Sequence, residues 1–359
     1  MDAVDAALAE IGAAGFRMLA ARTLELPTPL VARLRRLAIP GTGLAPGLDA
    51  IDELGELDGL VGELFARAAL GLLEASGVAH SSVRAIGSHG QTLRHRPRAT
   101  RPFTLQIGDP NIIAARTGIA VVADFRRRDM ALGGQGAPLV PAFHAAVFAA
   151  PDERRAVLNL GGVANLTLLE PGQPVTGFDT GPANGLMDGW TRRHLGRPFD
   201  EDGAWAATGR ISAPLLAALR SHPFLALASP KSTGPEDFTP AWLDELVARA
   251  GQPAPEDVQA TLCEFTAASV ADALAAAAPQ RLITCGGGVH NRQLLARLAA
   301  RLPQARIESS AVHGVDPDHV EAAAFAWLAA RTLAGLAGNV PSVTGAARPA
   351  VLGATWPAQ

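Results

Sequence analysis

Asp179 is the residue whose surroundings most clearly suggest chemistry. It follows an apolar stretch at 174–178 and precedes Thr-Gly-Pro at 180–182, and apolar residues then recur at helical spacing. This pattern predicts a strand, a turn, and a helix that begins near Ala183 or Asn184. A carboxylate at such a junction lies beside free backbone N–H groups and the positive end of a helix dipole, which suits phosphate or another anion. For an isolated Asp-Thr-Gly-Pro, an ordinary turn or N-cap role is the commoner explanation, so the neighbouring motifs matter.

Two glycine-rich turns follow short predicted strands. The first is Gly161-Gly162, just after Asn159, and the second is the run from Gly286 to Gly288, which precedes a predicted helix at 292–301. Glycines let the backbone approach a ligand closely, and successive N–H groups in such turns can bind phosphate. A buried hairpin without function is the alternative for the first turn. The glycine pair together with the Asn159 and Asn165 side chains argues against that alternative, and the strand, triple glycine and helix of the second turn form an element of the nucleotide-binding type.

Polar clusters follow three more predicted strands, at 83–88, 103–107 and 119–123. The clusters contain His89, Gln91 and Thr92, then Asp109, then Asp124, Arg126 and Arg128. The pattern predicts one sheet whose carboxyl edge lines a cleft, where open α/β sheets bind ligands. Capping or turn chemistry explains each cluster taken alone.

Composition excludes several classes of function. At 359 residues the chain is longer than a single hydrophobic core usually supports, so two domains are expected. Its net charge is −3 without a basic block, which argues against nucleic acid or membrane partners, and no apolar run reaches the roughly 20 residues that cross a bilayer. Acidic residues replace the basic start of a signal peptide. Because Cys263 and Cys285 fit neither a CxxC site nor a disulfide framework, a reducing cytoplasm is the expected location.

Lys231 is the only lysine in the chain. It follows Ser-Pro, so the chain lacks both the Gly-Lys-Ser/Thr of a P-loop and the strand lysine of protein kinases. The loop at 231–234 either reaches a ligand or merely crosses the surface.

The remaining pattern supplies the elements that must position these groups. It predicts a hairpin from 3–11 and 16–26, a long amphipathic helix at 51–75, and an Ala-rich helix at 263–277. Glycines at 133–138 indicate a hinge or a close approach to a ligand. Glu321 lies near the start of a helix, where capping or pairing with the dipole is the simple explanation.

Taken together, the motifs resemble one known family. They appear in the order His-Gly-Gln-Thr at 89–92, Gln-x-Gly-Asp at 106–109, Asp-Phe-Arg at 124–126, Gly-Gly-Gln-Gly-Ala-Pro at 133–138, Asn-Leu-Gly-Gly at 159–162, Asp-Thr-Gly-Pro at 179–182, Lys-Ser-Thr-Gly at 231–234 and Gly-Gly-Gly-x-His-Asn at 286–291. This series resembles the anhydro-N-acetylmuramic acid kinases of the actin/hexokinase/heat-shock-ATPase superfamily, over residues 1 to about 357.

The resemblance implies an α/β protein with a two-domain actin-like ATPase (ribonuclease H-like) fold and a ligand cleft between the domains. The expected N-terminal domain comprises 1–128 with about 340–359, and the C-terminal domain 129–339. A homodimer is also implied.

The resemblance further implies an activity in cell-wall recycling. The enzyme opens the ring of 1,6-anhydro-N-acetylmuramic acid with water and phosphorylates O6 from ATP with Mg²⁺, giving N-acetylmuramic acid 6-phosphate. Asp179 would be the general base. Arg128 would bind the lactyl carboxylate of the substrate. The other expected substrate contacts are His89, Gln91, Thr92, Gln106, Asp109, Asp124, Arg126 and Glu321. The expected nucleotide contacts are Asp2, Asp5, Asn159, Gly161, Gly162, Thr180, Gly181, Asn184, Gly286, Gly287 and Gly288. The magnesium ligands are not assigned.

Three departures from the family pattern affect these expectations. The family's first phosphate loop reads Gly-Thr-Ser-x-Asp-Gly-Val-Asp after a strand, whereas this sequence enters the motif with Met1 at the variable position and Asp2 at the Asp. A misassigned start codon is the expected cause. The alternative function is a catalytically impaired sugar-binding relic, and another sugar kinase of the superfamily is a second rival. Ala183 and Pro235 replace a usual glycine and a common basic residue.

Overall fold

The computed structural model describes residues 3–39, 49–234 and 236–358. Its strands are β1 (Ala3–Gly12), β2 (Gly15–Glu25), β3 (Ile86–Gly87), β4 (Gln91–Arg96), β5 (Phe103–Ile107), β6 (Val121–Ala123), β7 (Arg155–Leu160), β8 (Val163–Leu169), β9 (Thr176–Pro182), β10 (Arg281–Cys285), β11 (Arg306–Ser309) and β12 (Ala354–Trp356). Its α-helices are α1 (Thr28–Ala38), α2 (Ala50–Ser76), α3 (Pro110–Thr117), α4 (Phe125–Ala131), α5 (Val140–Phe148), α6 (Asn184–Leu195), α7 (Ala204–Thr208), α8 (Ala213–Arg220), α9 (Pro240–Arg249), α10 (Pro255–Leu274), α11 (Arg292–Arg301), α12 (Val320–Leu333) and α13 (Pro341–Thr344). The chain forms two compact units, residues 1–143 with 314–359 and residues 144–313. The predicted mixed α/β class is confirmed.

The second unit is built on a five-stranded sheet in the order β11-β10-β7-β8-β9. Strands β11, β10 and β7 run parallel, and β8 and β9 continue the sheet antiparallel. Apolar residues occupy most of β7, as is usual for a strand covered on both faces. Helix α10 packs in this core with Phe265 and Val270 fully buried. It begins earlier than the predicted 263 because Pro255 fits the first turn of a helix.

In the first unit, the predicted hairpin and the long amphipathic helix are confirmed. β1 and β2 pair antiparallel from Ala3↔Glu25 to Gly12↔Gly15. Helix α2 buries Leu57, Val61 and Leu64 at helical spacing in a core shared with α1, β4 and β5. The face that the sequence predicted to be apolar therefore faces protein.

The prediction of one sheet for the three strands that precede the polar clusters is wrong for the strand at 103–107. β3 and β6 are parallel neighbours in a sheet with β12, whereas β5 pairs antiparallel with β4 in a separate two-stranded sheet. Alternating residues of β4 and β5 complete the α2 core, so burial of that face sets the pairing. Two of the three clusters therefore share a sheet.

The unit boundaries also differ from the predicted ones. The structure keeps 129–143 and 314–339 in the first unit. One reason is Asp129, which is fully buried: its carboxylate accepts hydrogen bonds from the Gly136 N–H (2.8 Å), the Asn339 side-chain amide (2.7 Å) and the Thr344 hydroxyl (2.7 Å). A buried charge that is hydrogen-bonded in this way costs several kcal/mol to separate from its partners. Helix α12 belongs to the same unit because it packs on β3, where a Cβ on Gly87 would lie 2.1 Å from the Phe325 carbonyl oxygen.

Across the described ranges, none of the helices combines the length and the apolar character that a bilayer crossing requires.

Candidate active site

Asp179 lies within β9, not in the turn that the sequence predicted. The register of β8 and β9 shifts between Ala164 and Asn165, so that Asn165 faces Asp179, Ala164 faces Gly181, and Thr180 is the extra residue of a β-bulge. The Thr180 hydroxyl is buried and donates to the Ala164 carbonyl at 3.2 Å. This contact stabilises the bulge, which changes the direction of the strand beside Asp179 and leads directly into α6.

The Asp179 carboxylate is held by the loop at 231–233. The Asp179 N–H donates to the Lys231 carbonyl at 3.0 Å, and the Thr233 N–H donates to Asp179 Oδ2 at 2.9 Å. Burial raises the pKa of Asp179, while hydrogen bonds from the Thr233 amide and the Ser232 side chain act in the opposite direction. A partly buried carboxylate with fixed donors can take a proton from a water molecule placed beside it.

The glycine turns and the start of α6 converge at one end of the central strands. Asn184 donates from its side chain to the Leu160 carbonyl at 2.9 Å, and the N–H groups of Ala183, Asn184 and Gly185 donate to carbonyls of Gly161 or Gly162 at 3.0 Å. The expectation of free amides at this helix start is therefore wrong for these three groups. The carbonyls of the first glycine turn, and not a ligand, accept the hydrogen bonds from these three N–H groups.

The second glycine turn packs closely against the first. A Cβ on Gly286 would lie 2.5 Å from Asn159 Oδ1, and one on Gly288 would lie 2.5 Å from the Leu160 Cβ. By contrast, Gly162 and Gly287 have no atom within 4 Å of that position. The structure thus brings the predicted residues 159, 161, 162, 184 and 286–288 together. The turns have a tightly packed side and an open side where a phosphate could approach the backbone.

In the first unit, Arg126 and His89 form one hydrogen-bonded group. Arg126 donates from Nε to His89 Nε2 at 2.9 Å and from Nη1 to the Gly136 carbonyl at 2.8 Å. Burial, together with the charge on Arg126, lowers the pKa of His89 to about 3, so the ring is neutral and Nε2 is an acceptor. Phe325 packs against the other side of the group, with its ring centroid 4.5 Å from that of His89.

The Glu321 carboxylate interacts electrostatically with Arg126. Desolvation by the surrounding protein raises the pKa of Glu321, Arg126 lowers it, and Asp5 raises it. Glu321, Asp5, His89, Gln91 and Thr92 all line one cavity of about 1460 Å³ in the first unit. Because that cavity is open, the Glu321 side chain remains accessible to solvent. The Asp5 carboxylate also accepts from the Thr23 hydroxyl at 2.6 Å.

Gln106 and Asp109, two further predicted substrate residues, form hydrogen bonds within the protein. Gln106 donates to the hydroxyls of Thr92 (3.1 Å) and Thr104 (2.7 Å). Asp109 caps α3 through the Asn111 N–H at 2.8 Å, which is the simple capping role.

Asp124 and Arg128 follow β6. Asp124 adopts a left-handed conformation with φ 56°, which costs a non-glycine residue energy and is concentrated at functional sites. Burial raises its pKa, and Arg127 lowers it. Arg128 is exposed.

Asp2 lies outside the described residues. Among those described, no group of three or more His, Cys, Asp or Glu side chains is arranged to hold a metal ion.

Ser232 and Thr233 both contact Asp179, whereas their sequence predicted only a loop that reaches a ligand or crosses the surface. Two hydroxyl-bearing side chains directly after the only lysine were the one feature of the sequence that pointed to this loop as part of the site. The hydrogen bond between Thr233 and Asp179 joins positions that are 54 residues apart in the chain, and no local periodicity reveals such a pairing. The Gly136 carbonyl that binds Arg126 was missed because any residue type can supply a backbone carbonyl.

Comparison with known proteins identifies close relatives. The family model described as anhydro-N-acetylmuramic acid kinase matches residues 1–358. An anhydro-N-acetylmuramic acid kinase from Xanthomonas campestris pv. campestris (strain 8004) is 55% identical over 362 residues, covering 99% of this chain and 94% of the relative. One from Xanthomonas axonopodis pv. citri is 61% identical over 311 residues, covering 86% and 83%, and one from Shewanella halifaxensis is 51% identical over 361 residues, covering 100% and 96%. Among solved structures, a ROK family glucokinase from Streptomyces griseus aligns at 16% identity and TM-score 0.39 over 90% of this chain and 99% of that chain, which is too distant to support an argument.

Proposed function

The chain belongs to the anhydro-N-acetylmuramic acid kinase family, and we propose that it hydrolytically opens 1,6-anhydro-N-acetylmuramic acid and phosphorylates O6. The product is N-acetylmuramic acid 6-phosphate, an intermediate of peptidoglycan recycling. The observation that carries this proposal is the Asp179 carboxylate, partly buried at a β-bulge and held by the Thr233 amide. A partly buried carboxylate with fixed donors suits the role of a general base.

Asp179 acts on water in the first bond change. Its carboxylate takes a proton from a water molecule, whose oxygen forms a bond to the anomeric carbon of the sugar. The bond between that carbon and O6 breaks, and O6 attacks the γ-phosphorus of ATP as the bond to the ADP oxygen breaks. The proton goes to Asp179, the electron pair of the broken C–O bond stays on O6 and forms the bond to phosphorus, and the electron pair of the broken P–O bond leaves with the ADP oxygen.

The glycine turns of the second unit fit the polyphosphate of ATP. The open positions at Gly162 and Gly287 let a phosphate approach backbone N–H groups, whereas the tightly packed Gly286 and Gly288 fix the shape of the turn. Phosphoryl transfer depends mainly on such positioning and on neutralising charge. Mg²⁺, when bound, would neutralise the charge on the phosphates, and it commonly uses only one or two protein carboxylates.

The polar groups of the first unit suit recognition of the sugar. Arg126, His89 and Glu321 present a cation, a neutral imidazole and a carboxylate near one cavity. Sugar hydroxyls and an acetamido group need both donors and acceptors. The exposed Arg128 would bind the lactyl carboxylate through a forked contact.

We also propose that the protein works in the cytoplasm as a homodimer. Light scattering with size-exclusion chromatography measures its mass in solution, and a 37.0 kDa species would contradict the dimer.

The proposed substrate is tested by competition. The chain is incubated with ATP, Mg²⁺ and 1,6-anhydro-N-acetylmuramic acid, with glucose and N-acetylglucosamine as competing acceptors. The phosphorylated products are identified and quantified by mass spectrometry. Phosphorylation of the anhydro-sugar in preference to the hexoses supports the proposal, and preferential hexose phosphorylation indicates another sugar kinase. Binding of the anhydro-sugar without any product would indicate a sugar-binding protein without turnover.

A further inference from the structure

Lys231, the only lysine of the chain, directs its ammonium group at the protein itself. Nζ donates to the carbonyls of Phe224 (3.2 Å) and Leu225 (2.9 Å), and it lies 4.7 Å from the centroid of the Phe224 ring. Both carbonyls belong to the 3-10 helix Pro223–Ala226. Hydrogen bonds from an ammonium to carbonyls and a cation–π contact are each worth more than contacts between neutral groups.

The main chain of the same residue pairs with Asp179. The Lys231 carbonyl accepts from the Asp179 N–H at 3.0 Å, and two residues later the Thr233 N–H donates to Asp179 Oδ2 at 2.9 Å. One side of the segment 231–233 is therefore fixed to the 3-10 helix through the ammonium, and the other side contacts the carboxylate that we assign as the general base.

The 3-10 helix is itself anchored beside that carboxylate. Phe224 is buried against the Phe238 ring, at 5.9 Å between centroids. The Leu225 side chain lies 3.4 Å from the Cβ position of Gly181, two residues beyond Asp179. A rigid 3-10 helix thus gives the lysine a fixed point from which it can hold the loop in place.

We propose that Lys231 is a positioning residue for Asp179: its ammonium fixes the 231–233 segment so that the Thr233 amide remains bound to Asp179 Oδ2. The inference rests on the proposed function, in which Asp179 is the base. The lysine touches neither substrate nor ATP in this role.

The consequence is a specific change in pH dependence. The Thr233 hydrogen bond favours the charged carboxylate and so lowers the pKa of Asp179, against the effect of burial. Without Lys231 the loop loosens, this bond weakens, and the pKa of Asp179 rises. Because only the ionised carboxylate can accept a proton, activity at low pH is lost first. The other titratable groups beside the loop are Glu236, Asp237, which accepts from the Thr233 hydroxyl, and His222, which caps the 3-10 helix.

The test compares three variants. Lys231→Met keeps the length and apolar stem of the side chain but removes the donor. Lys231→Arg keeps a cation that can reach the two carbonyls. Arg220→Met removes an exposed cation of the same unit that pairs with Asp272 and does not contact Lys231 in the hydrogen bonds described above. For Lys231→Met we expect the acid limb of the pH profile of kcat to move up by about 0.5–1 pH unit. In Lys231→Arg the acid limb should return part of the way to its wild-type position, and in Arg220→Met it should stay there.

A second readout does not depend on activity. The Asp179 carboxyl signal is followed by ¹³C NMR in selectively labelled protein and assigned by its absence in Asp179→Asn. Its titration midpoint rises in Lys231→Met if the inference is correct. An unchanged midpoint, or a kcat lost equally at every pH, overturns the inference even if the enzyme has the proposed activity. Absence of product from the wild-type chain instead overturns the proposed function, and the NMR comparison still decides the role of Lys231.

If Lys231→Met does not fold, the wild-type protein provides the test. Because there is one lysine, ¹⁵N-lysine labelling gives a single side-chain ammonium signal. Slow hydrogen exchange of that signal, unchanged by saturating ATP or sugar, is expected. A large shift of the signal on adding ATP would mean a direct phosphate contact and would overturn the inference.

Discussion

At the scale of single residues, Asp179 combines partial burial with hydrogen-bond donors from Ser232 and Thr233. Replacement by asparagine keeps the shape of the side chain but removes its ability to accept a proton. We expect Asp179→Asn to lower kcat by about 10²–10⁴-fold, the usual contribution of a general base, with folding retained. The exposed Asp244, which pairs with Arg193, provides the matched control in Asp244→Asn. An Asp179→Asn variant with wild-type kcat would rule out the assigned base.

His89 leads to a prediction about pH and stability. Its pKa in the folded protein is about 3, below the value of about 6.5 for an unfolded chain. The unfolded state therefore binds the proton more tightly, and stability falls as the pH drops below about 6.5. For a shift of this size the loss between pH 7 and pH 5 is about 2 kcal/mol.

Urea unfolding at pH 7 and pH 5 measures this effect. In His89→Asn the loss of unfolding free energy on acidification should be smaller than in wild type by about 2 kcal/mol. His80→Asn, at an exposed position in the same unit, is the control and should keep the wild-type loss. If His89→Asn and wild type lose equal stability, His89 is not held neutral by burial and Arg126.

Sequence alone identified Asp179 and the set around His89 by residue type and motif order. It did not identify what holds them. Thr233 and Gly136 contribute a backbone N–H and a backbone carbonyl, and every residue except proline has both groups. Contacts of this kind depend on the fold and leave little trace in residue type.

At the scale of elements, Gly286 determines how the two glycine turns meet. Its φ is 79°, and a Cβ there would lie 2.5 Å from Asn159 Oδ1 and 2.9 Å from the Leu160 carbonyl oxygen. Gly286→Ala should therefore destabilise the protein by about 1–3 kcal/mol and raise the KM for ATP, because the turn must shift. Thermal unfolding and steady-state kinetics measure the two effects.

Gly189→Ala is the control for this prediction. Gly189 lies inside α6, with no atom within 4 Å of its Cβ position. Alanine should stabilise the helix there by up to about 1 kcal/mol and leave the KM for ATP unchanged. Equal effects of the two substitutions would show that the close packing of the glycine turns is unimportant.

The β9 segment shows why a local pattern predicted the wrong element. Thr-Gly-Pro at 180–182 is typical of a turn, yet β8 pairs with the segment as far as Pro182. The bulge at Thr180 accommodates residues that local propensity assigns to a turn, since tertiary pairing outweighs weak local preference. Helix positions were predicted more closely because a buried face repeats over many residues, as in α2.

At the scale of the whole molecule, motif order was enough to predict the mixed α/β class. The boundaries between the two compact units were not predictable in the same way. Helix α12 and the segment at 339–344 return to the first unit through the close fit at Gly87 and the hydrogen bonds to Asp129. Such contacts join residues far apart in the chain, as in the Asn339–Asp129 bond with a separation of 210, and no shift in composition marks them.

The most direct test of the account follows the oxygen of the attacking water. The chain is mixed with ATP, Mg²⁺ and 1,6-anhydro-N-acetylmuramic acid in ¹⁸O-labelled water, quenched early, and the product is fragmented in a mass spectrometer. Unlabelled N-acetylmuramic acid 6-phosphate, kept in the same water for the same time, corrects for spontaneous exchange. Water activation by Asp179 predicts one ¹⁸O at the anomeric carbon and none in the phosphate. Label in the phosphate, or a product that keeps the anhydro ring, would contradict water activation by Asp179.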